Sequence, residues 1–322
     1  MSFYDVFNGD ADGLCALTQL RLADPQSTKL ITGVKRDISL LQQVEAQPGD
    51  KIIVLDVSMD KNRSALDTVL NNGASVLYID HHFPGDIPEH KNLTALINVE
   101  PETCTSILVD EYLKGQFRQW AVVGAFGDNL SNSAEKLAAS IQNNNIGPRL
   151  PELRQLGIYI NYNGYGSALE DLHFAPADLF NKLVQYANPL DFIDNDRTSF
   201  EKLETGYNQD MAAAGKVDTY YAEDHAAVFM LPDAAWARRV SGVYGNDLAN
   251  QYPDRAHAVI TEKKDGDYLV SVRAPLHNRT GADEICRQFP SGGGRKAAAG
   301  INQLPNDQLD TFISVFSEFY AT

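Results

Sequence analysis

Residues 51–56 read KIIVLD, an apolar run that ends in an aspartate. Such an unbroken run is typical of a strand buried on both faces of a parallel sheet. Residues 74–80, ASVLYID, repeat the pattern, and residues 3–7 and 29–34 predict two earlier strands. Helical spacing over residues 13–23, 37–45 and 60–72 separates these strands. The alternation predicts an α/β fold with a doubly wound parallel sheet in the N-terminal domain.

The rest of the chain has a different pattern. Residues 131–215 are mostly helical in spacing, broken by polar loops such as residues 143–145. Two strands at 256–261 and 268–273, joined by a hairpin turn, predict a second, smaller domain with a mixed α/β sheet. A helix over 280–288, a glycine-rich loop at 291–295 and a last helix over 305–319 complete it. The boundary is predicted near residues 215–225, giving domains 1–215 and 216–322.

The composition argues against proteins that bind long nucleic acid or span a membrane. The net charge is −16, from 43 acidic and 27 basic residues, which disfavours binding to long nucleic acid because that binding depends on Lys and Arg neutralising phosphates. No run of eighteen apolar residues exists, so we expect no membrane partner. Three cysteines lie far apart without a CxxC motif. They predict reduced thiols and a cytoplasmic protein.

Carboxylates follow several of the predicted strands. Asp10 and Asp12 come after the first strand, Asp56 ends the third, and Asp80-His81-His82 ends the fourth. Because ligands bind outside the carboxyl ends of parallel strands, these side chains are expected at one edge of the sheet, with Asp128 as a further candidate. Taken alone, each of these residues also has an ordinary structural explanation. Asp10 suits a turn, Asp12 and Asp56 suit helix caps, and the histidines suit a surface loop.

Clustered carboxylates repel one another unless a cation holds them. Oxygen ligands with one imidazole nitrogen suit Mn²⁺ or Mg²⁺. Two such ions about 3.5–4 Å apart activate a water and stabilise the charge of an in-line phosphoryl displacement. One carboxylate must then bridge both ions, and Asp56, which lies between the other motifs, is the candidate.

These motifs together resemble those of the DHH phosphoesterases: Asp10-Ala11-Asp12-Gly13, Asp56, Asp80-His81-His82 and Asp128. The run Ser291-Gly292-Gly293-Gly294-Arg295 resembles the glycine motif of the DHHA1 domain. The resemblance implies a DHH catalytic domain over 1–215 and a DHHA1 substrate-binding domain over 216–322.

The resemblance also implies roles for the residues. One of two Mn²⁺ or Mg²⁺ ions would bind Asp12, Asp56, His81 and Asp128, and the other Asp10 and Asp56. His82 would contact the scissile phosphate, and Asp80 would orient the histidines. Family members often carry a histidine where this chain has Val6, so Asn8 or water is the expected substitute ligand.

The glycine motif predicts phosphate binding. Glycines let backbone amides approach a phosphate, and a helix N-terminus after Gly292, Gly293 and Gly294 would favour an anion. A flexible loop is the alternative. Arg295 stands where the family usually has histidine, and Arg273 resembles its substrate-binding arginine. Thr103, Thr105 and Ser106 lie at the start of a helix pattern and are expected to touch ligand or, for at least one of them, to cap the helix.

The function expected from this resemblance is hydrolysis of short linear dinucleotides, such as pGpG, to mononucleotides. Alternatives are a cyclic dinucleotide phosphodiesterase, a single-strand exonuclease, or a non-catalytic nucleotide-binding protein. The expected partner is a dinucleotide or a very short oligonucleotide, and homodimerisation stays open.

Overall fold

The computed structural model describes residues 1–141 and 146–321. It divides into two compact units, Met1–Glu204 and Thr205–Thr322. The predicted polar loop at 143–145 lies outside the described residues. The predicted α/β class, with a parallel sheet followed by a mixed sheet, is confirmed. The boundary between the two functional domains stays a prediction.

The first unit is built on a parallel sheet of five strands in the order β2-β1-β3-β4-β5. Its strands are β1 (Phe3–Phe7), β2 (Lys29–Ile31), β3 (Lys51–Leu55), β4 (Ser75–Asp80) and β5 (Leu93–Ile97). The apolar runs of β1, β3 and β4 place residues such as Val6, Val54 and Tyr78 in the core with no exposed surface. This burial on both sides explains why these strands are almost continuously apolar.

Nine helices belong wholly or partly to the first unit in the described part of the chain. They are α1 (Ala11–Ala23), α2 (Met59–Asn71), α3 (Thr105–Tyr112), α4 (Arg118–Gly127), α5 (Ser131–Ala139), α6 (Leu150–Gly164), α7 (Pro176–Leu183), α8 (Pro189–Asn195) and α9 (Arg197–Ala214). The helix α9 continues into the second unit. The predicted helical middle of the chain is therefore confirmed.

One prediction for the first unit is wrong, and one strand of its sheet was missed. The helix expected over residues 37–45 is only a short 3-10 turn, Leu40–Gln43. The side chain of Asn62 accepts a hydrogen bond from the Leu41 amide at 3.2 Å and donates one to the Ile38 carbonyl at 2.6 Å. It thereby occupies backbone groups that a regular helix would pair. The strand β5 was not predicted, because it is a half-exposed edge strand without a continuous apolar face.

The second unit contains a mixed sheet of six strands in the order β10-β11-β9-β8-β7-β6. Its strands are β6 (Thr219–Ala222), β7 (Ala226–Leu231), β8 (Ala256–Glu262), β9 (Tyr268–Arg273), β10 (Gly292–Gly294) and β11 (Ala298–Leu304). Its complete helices are α10 (Ala235–Gln251), α11 (Ala282–Cys286) and α12 (Leu309–Tyr320). The predicted hairpin between β8 and β9 is confirmed, with Gly266 at a φ of 87° in the turn.

The glycine motif does not lead into a helix, so the predicted helix N-terminus at this position is wrong. Gly292–Gly294 forms β10, which pairs antiparallel with β11. Arg295 and Ala298 close the intervening turn with two backbone hydrogen bonds of 2.9 and 3.2 Å. A Cβ on residue 292 would lie 1.7 Å from the carbonyl oxygen of Cys286, so close packing requires glycine there.

Within the described ranges, no helix combines the length and the apolar character needed to cross a membrane.

Candidate metal centre

The centre lies in the first unit, at the carboxyl ends of β1 and β3. These strands are neighbours, but the chain leaves β1 for β2 on one side before it returns to form β3 on the other. This reversal of strand order is the topological switch point, where open α/β sheets bind ligands. Asp10 and Asp12 follow β1, Asp56 follows β3, and Asp80, His81 and His82 lie at the end of β4.

Asp12 is held by the start of another helix. Its two carboxylate oxygens accept hydrogen bonds from the backbone amides of Thr105, at 2.8 Å, and Ser106, at 2.7 Å. The Ser106 hydroxyl donates to the Asp12 carbonyl at 2.8 Å. The first amides of α3 therefore fix a buried carboxylate from α1, and the positive end of the helix favours its charge.

His81 directs one ring nitrogen at the carboxylates. Its Nδ1 lies 3.1 Å from the carbonyl of Thr103, which can only accept, so Nδ1 carries the proton. The other nitrogen, Nε2, lies 3.3 Å from Asp56 Oδ1 and 3.7 Å from Asp12 Oδ2. In this tautomer, a nitrogen lone pair and two carboxylates face one another, an arrangement that a cation would stabilise.

His82 is paired with Asp80 rather than with Asp12. Its Nδ1 lies 2.7 Å from Asp80 Oδ1 and 3.8 Å from Asp56 Oδ1. A third of the His82 side chain is exposed (33%), whereas Asp80 is fully buried. Burial would raise the pKa of Asp80, but the adjacent His82 outweighs it and the pKa is lowered. Asp80 thus fixes the ring and leaves Nε2 of His82 to meet a ligand.

Asp56 has the most unusual setting in the group. Its backbone is left-handed, with a φ of 55°, a conformation that non-glycine residues adopt at a cost and that clusters at functional sites. Burial, with the charges of Asp10 and Asp12, raises its pKa well above the usual range. The helix that follows is preceded by Ser58, so Asp56 is not its N-cap.

Asp10 is the N-cap of α1. Its Oδ1 accepts hydrogen bonds from the amides of Asp12, at 3.0 Å, and Gly13, at 3.1 Å. Its Oδ2 forms an ion pair with the ammonium group of Lys35. Burial alone would raise the pKa of Asp10, but the charge of Lys35 outweighs it and the pKa is lowered. Both oxygens of Asp10 therefore already have partners.

Lys35 was not predicted. Its ammonium also donates to Asn161 Oδ1 at 3.1 Å, and it lies 5.2 Å from the centre of the Tyr165 ring. Burial would lower its pKa, but the charge of Asp10 raises it above the usual range. A lysine shortly after a short strand gives no sequence signal, because its partner Asn161 lies 126 positions away.

Asp128 directly follows α4 and is its C-cap. The next residue, Asn129, has a left-handed φ of 59°. Asp128 is close enough for its negative charge to act on both groups: it opposes the lowering of the Asp10 pKa by Lys35 and adds to the raising of the Lys35 pKa. The structure thus brings all the predicted carboxylates of the first domain to the same edge of the sheet.

The residues present fit one divalent cation. Asp56, His81 and His82 each offer a ligand atom, and these atoms lie within 4.8 Å of one another. Asp12 adds a carboxylate oxygen 3.7 Å from His81 Nε2. In the described part of the chain, the buried Oδ1 of Asn8 has no hydrogen-bond partner, while its Nδ2 donates to the Lys35 carbonyl at 3.2 Å. A second ion does not fit Asp10 equally well, because Lys35 is already there.

The predicted substrate residues lie in the second unit. Arg273 is 9% exposed, and its guanidinium donates to Asn246 Oδ1 at 2.5 Å, to the Gly242 carbonyl at 3.1 Å and to the Val272 carbonyl at 3.0 Å. Arg295 is half-buried in the turn after β10. Ser291, which precedes the glycines, has a left-handed φ of 61°. Arg273 is thus firmly positioned by its own domain.

Comparisons with known proteins agree with this architecture. Residues 223–322 match the DHHA1 domain family. A solved DHH-domain structure, described as a member of a family of ribosomal proteins, superposes with a TM-score of 0.63 at 13% identity, over 99% of this chain and 86% of that one.

Two further solved structures are similar. RecJ from Thermus thermophilus, in complex with Mn²⁺, has a TM-score of 0.59 at 17% identity, over 99% of this chain and 52% of that chain. The pGpG-specific phosphodiesterase PggH from Vibrio cholerae has a TM-score of 0.54 at 13% identity, over 100% and 99% of the two chains. This chain therefore spans about half the length of RecJ. No curated protein matches. At these identities the likeness establishes a shared fold.

Proposed function

We propose that the chain is a member of the DHH/DHHA1 family and a divalent-metal-dependent phosphodiesterase, because residues 223–322 match the DHHA1 domain and the whole chain shares its fold with solved DHH proteins. We further propose that it hydrolyses short linear dinucleotides, such as pGpG, to mononucleotides.

One observation carries this proposal. Asp12, Asp56 and His81 converge at the switch point, with His81 Nε2 at 3.3 and 3.7 Å from the two carboxylates. His82, fixed by Asp80, lies beside them and is the most exposed of the group. Buried carboxylate and imidazole groups next to one partly exposed histidine suit a metal-dependent attack on phosphorus.

The chain's own residues have distinct tasks in this reaction. Asp12, Asp56 and His81 would hold Mn²⁺ or Mg²⁺, with Asp128 as a further candidate; the bound ion supplies Lewis-acid charge and an activated water. The α3 amides keep Asp12 in place, and the Thr103 carbonyl keeps the proton of His81 on Nδ1. His82 presents Nε2 to the scissile phosphate, with Asp80 holding its other nitrogen.

The preference for a short substrate has two supports. The structural relative PggH acts on pGpG, and this chain covers 99% of its length. The net charge of −16 disfavours extended binding to polyanions. In the second domain, Arg273, Arg295 and the backbone of Gly292, Gly293 and Gly294 are the proposed contacts to the nucleotide.

The test is a substrate panel with purified protein and Mn²⁺. It contains pGpG, pApA, cyclic di-GMP, a longer single-stranded RNA, single-stranded DNA and pyrophosphate. We expect mononucleotides from linear dinucleotides at a rate at least tenfold above every other substrate. The Asp56→Asn variant is the control, since asparagine tolerates the left-handed backbone but removes the charge. Faster hydrolysis of long single strands would exclude the dinucleotide assignment, and no turnover of any substrate would favour a nucleotide-binding protein.

A further inference from the structure

The first domain places a lysine where the second ion of a two-ion centre is expected. That ion needs the carboxylate of Asp10, but Asp10 Oδ1 already accepts two backbone amides and Oδ2 already pairs with the ammonium of Lys35. An ion bound to Oδ2 would lie within a few ångströms of a like charge, which opposes its binding strongly in a buried site.

Lys35 is built into this position. Its backbone amide donates to the Gly164 carbonyl at 2.8 Å, and its own carbonyl accepts from Asn8 Nδ2 at 3.2 Å. The ammonium has a second acceptor in Asn161 Oδ1 at 3.1 Å, and only 22% of the side chain is exposed. The lysine is thus held at both ends, in contrast to a solvated surface lysine.

The neighbouring packing leaves the loop little room to move. A Cβ on Gly164 would lie 2.9 Å from the Gly9 carbonyl and 3.0 Å from the Asp10 Cα, so the end of α6 packs directly on the Asp10 turn. Asp37 accepts a hydrogen bond from the Val34 amide at 3.1 Å and closes the turn that contains Lys35. Withdrawing the ammonium would break its contacts to the Asp10 turn and to Asn161 on α6.

We propose that Lys35 takes the place of the second divalent ion, so that the chain binds one Mn²⁺ or Mg²⁺, at Asp12, Asp56 and His81, and uses the fixed charge of Lys35 beside Asp10. This inference rests on the proposed function for its chemical meaning. In that setting Asp12, Asp56 and His81 would hold the ion that would supply the activated water, and the ammonium of Lys35 would supply the positive charge at Asp10 without a second metal.

The test counts bound metal rather than turnover. Wild-type protein is saturated with Mn²⁺, desalted, and measured by elemental analysis, with titration calorimetry in parallel. We expect one Mn²⁺ per chain in wild type and in Lys35→Arg, and two in Lys35→Met, which keeps the length of the side chain but removes its charge. The matched control is Lys29→Met, which removes the charge of a lysine on β2 that donates to the Tyr4 hydroxyl. This variant should keep one ion.

Paramagnetic resonance of the wild-type Mn²⁺ form gives an independent readout that does not depend on any variant folding. An isolated ion gives a mononuclear six-line spectrum, and two neighbouring ions give an exchange-coupled one. A coupled spectrum or two ions in wild type would overturn the role of Lys35, as would one ion in folded Lys35→Met. No Mn²⁺ binding in wild type would instead refute the proposed metal-dependent function, so the two failures are distinguishable.

Discussion

His257 makes the stability of the second unit depend on pH. It lies in β8 with no exposed surface, opposite Arg273 on β9. Burial, with the charge of Arg255, lowers its pKa to about 4. Its Nε2 lies 3.2 Å from Arg255 Nε, which can only donate, so this contact requires the uncharged ring.

The direction in which stability changes with pH depends on whether the folded or the unfolded state binds the proton more tightly. An unfolded histidine titrates near its ordinary pKa of about 6.5, whereas the folded His257 stays neutral down to about pH 4. Between these values the unfolded chain binds one more proton, so stability falls as the pH falls from about 6.5 to about 4 and then levels off. With these two pKa values, the loss from pH 7.5 to pH 5 is about 2 kcal/mol.

The measurement is urea unfolding at pH 7.5 and pH 5.0, read by hydrogen exchange in peptides covering β8 and β9. Other carboxylates also titrate in this range, so the comparison is with His257→Gln, which keeps a polar side chain but cannot take up the proton. We expect the pH-dependent loss to be about 2 kcal/mol smaller in the variant. An equal loss in both proteins, or a wild type that gains stability at pH 5, would refute the reasoning.

Three further predictions concern the proposed site. His82→Ala should lower kcat by about a hundredfold or more while leaving Mn²⁺ content unchanged by elemental analysis, because in the proposed reaction the ring contacts phosphate rather than metal; loss of metal would reassign it as a ligand. Arg295→Ala should raise KM more than it lowers kcat in steady-state assays, and a pure kcat defect would place the arginine at the transition state. Gly13→Ala should lower the melting temperature and Mn²⁺ affinity, because its Cβ would lie 2.3 Å from the Asn8 carbonyl, whereas Gly147→Ala, with no atom within 4 Å, should change neither.

Much of the fold could be predicted from local pattern. The parallel sheet could be predicted from the apolar runs of β1, β3 and β4 and from the helical spacing between them. The short edge strand β5 lacks such a run, and the 3-10 turn at Leu40–Gln43 depends on Asn62, a residue from a different element. The same limit explains the glycine motif, whose pairing with β11 is a long-range strand contact.

The candidate site shows the same division. The motif residues could be named from the sequence because strand ends of a parallel sheet meet at one edge. The hydrogen-bond and ion-pair partners of each carboxylate could not be predicted from the sequence, because they come from distant segments. The α3 amides hold Asp12, and Lys35 holds Asp10. The engagement of Arg273 by Asn246 likewise depends on how α10 packs on β9. The roles of these residues in binding metal and substrate stay predictions.

The left-handed, buried Asp56 has a consequence for the balance between activity and stability. The carboxyl group of Asp56 is buried beside those of Asp10, Asp12 and Asp80, so its charged form destabilises the metal-free fold. The Asp56→Asn variant should therefore have a higher free energy of unfolding without metal but no activity. Such a site keeps activity at the expense of stability. Under the proposed function, an Asp56→Asn chain would therefore exchange activity for stability of the metal-free fold.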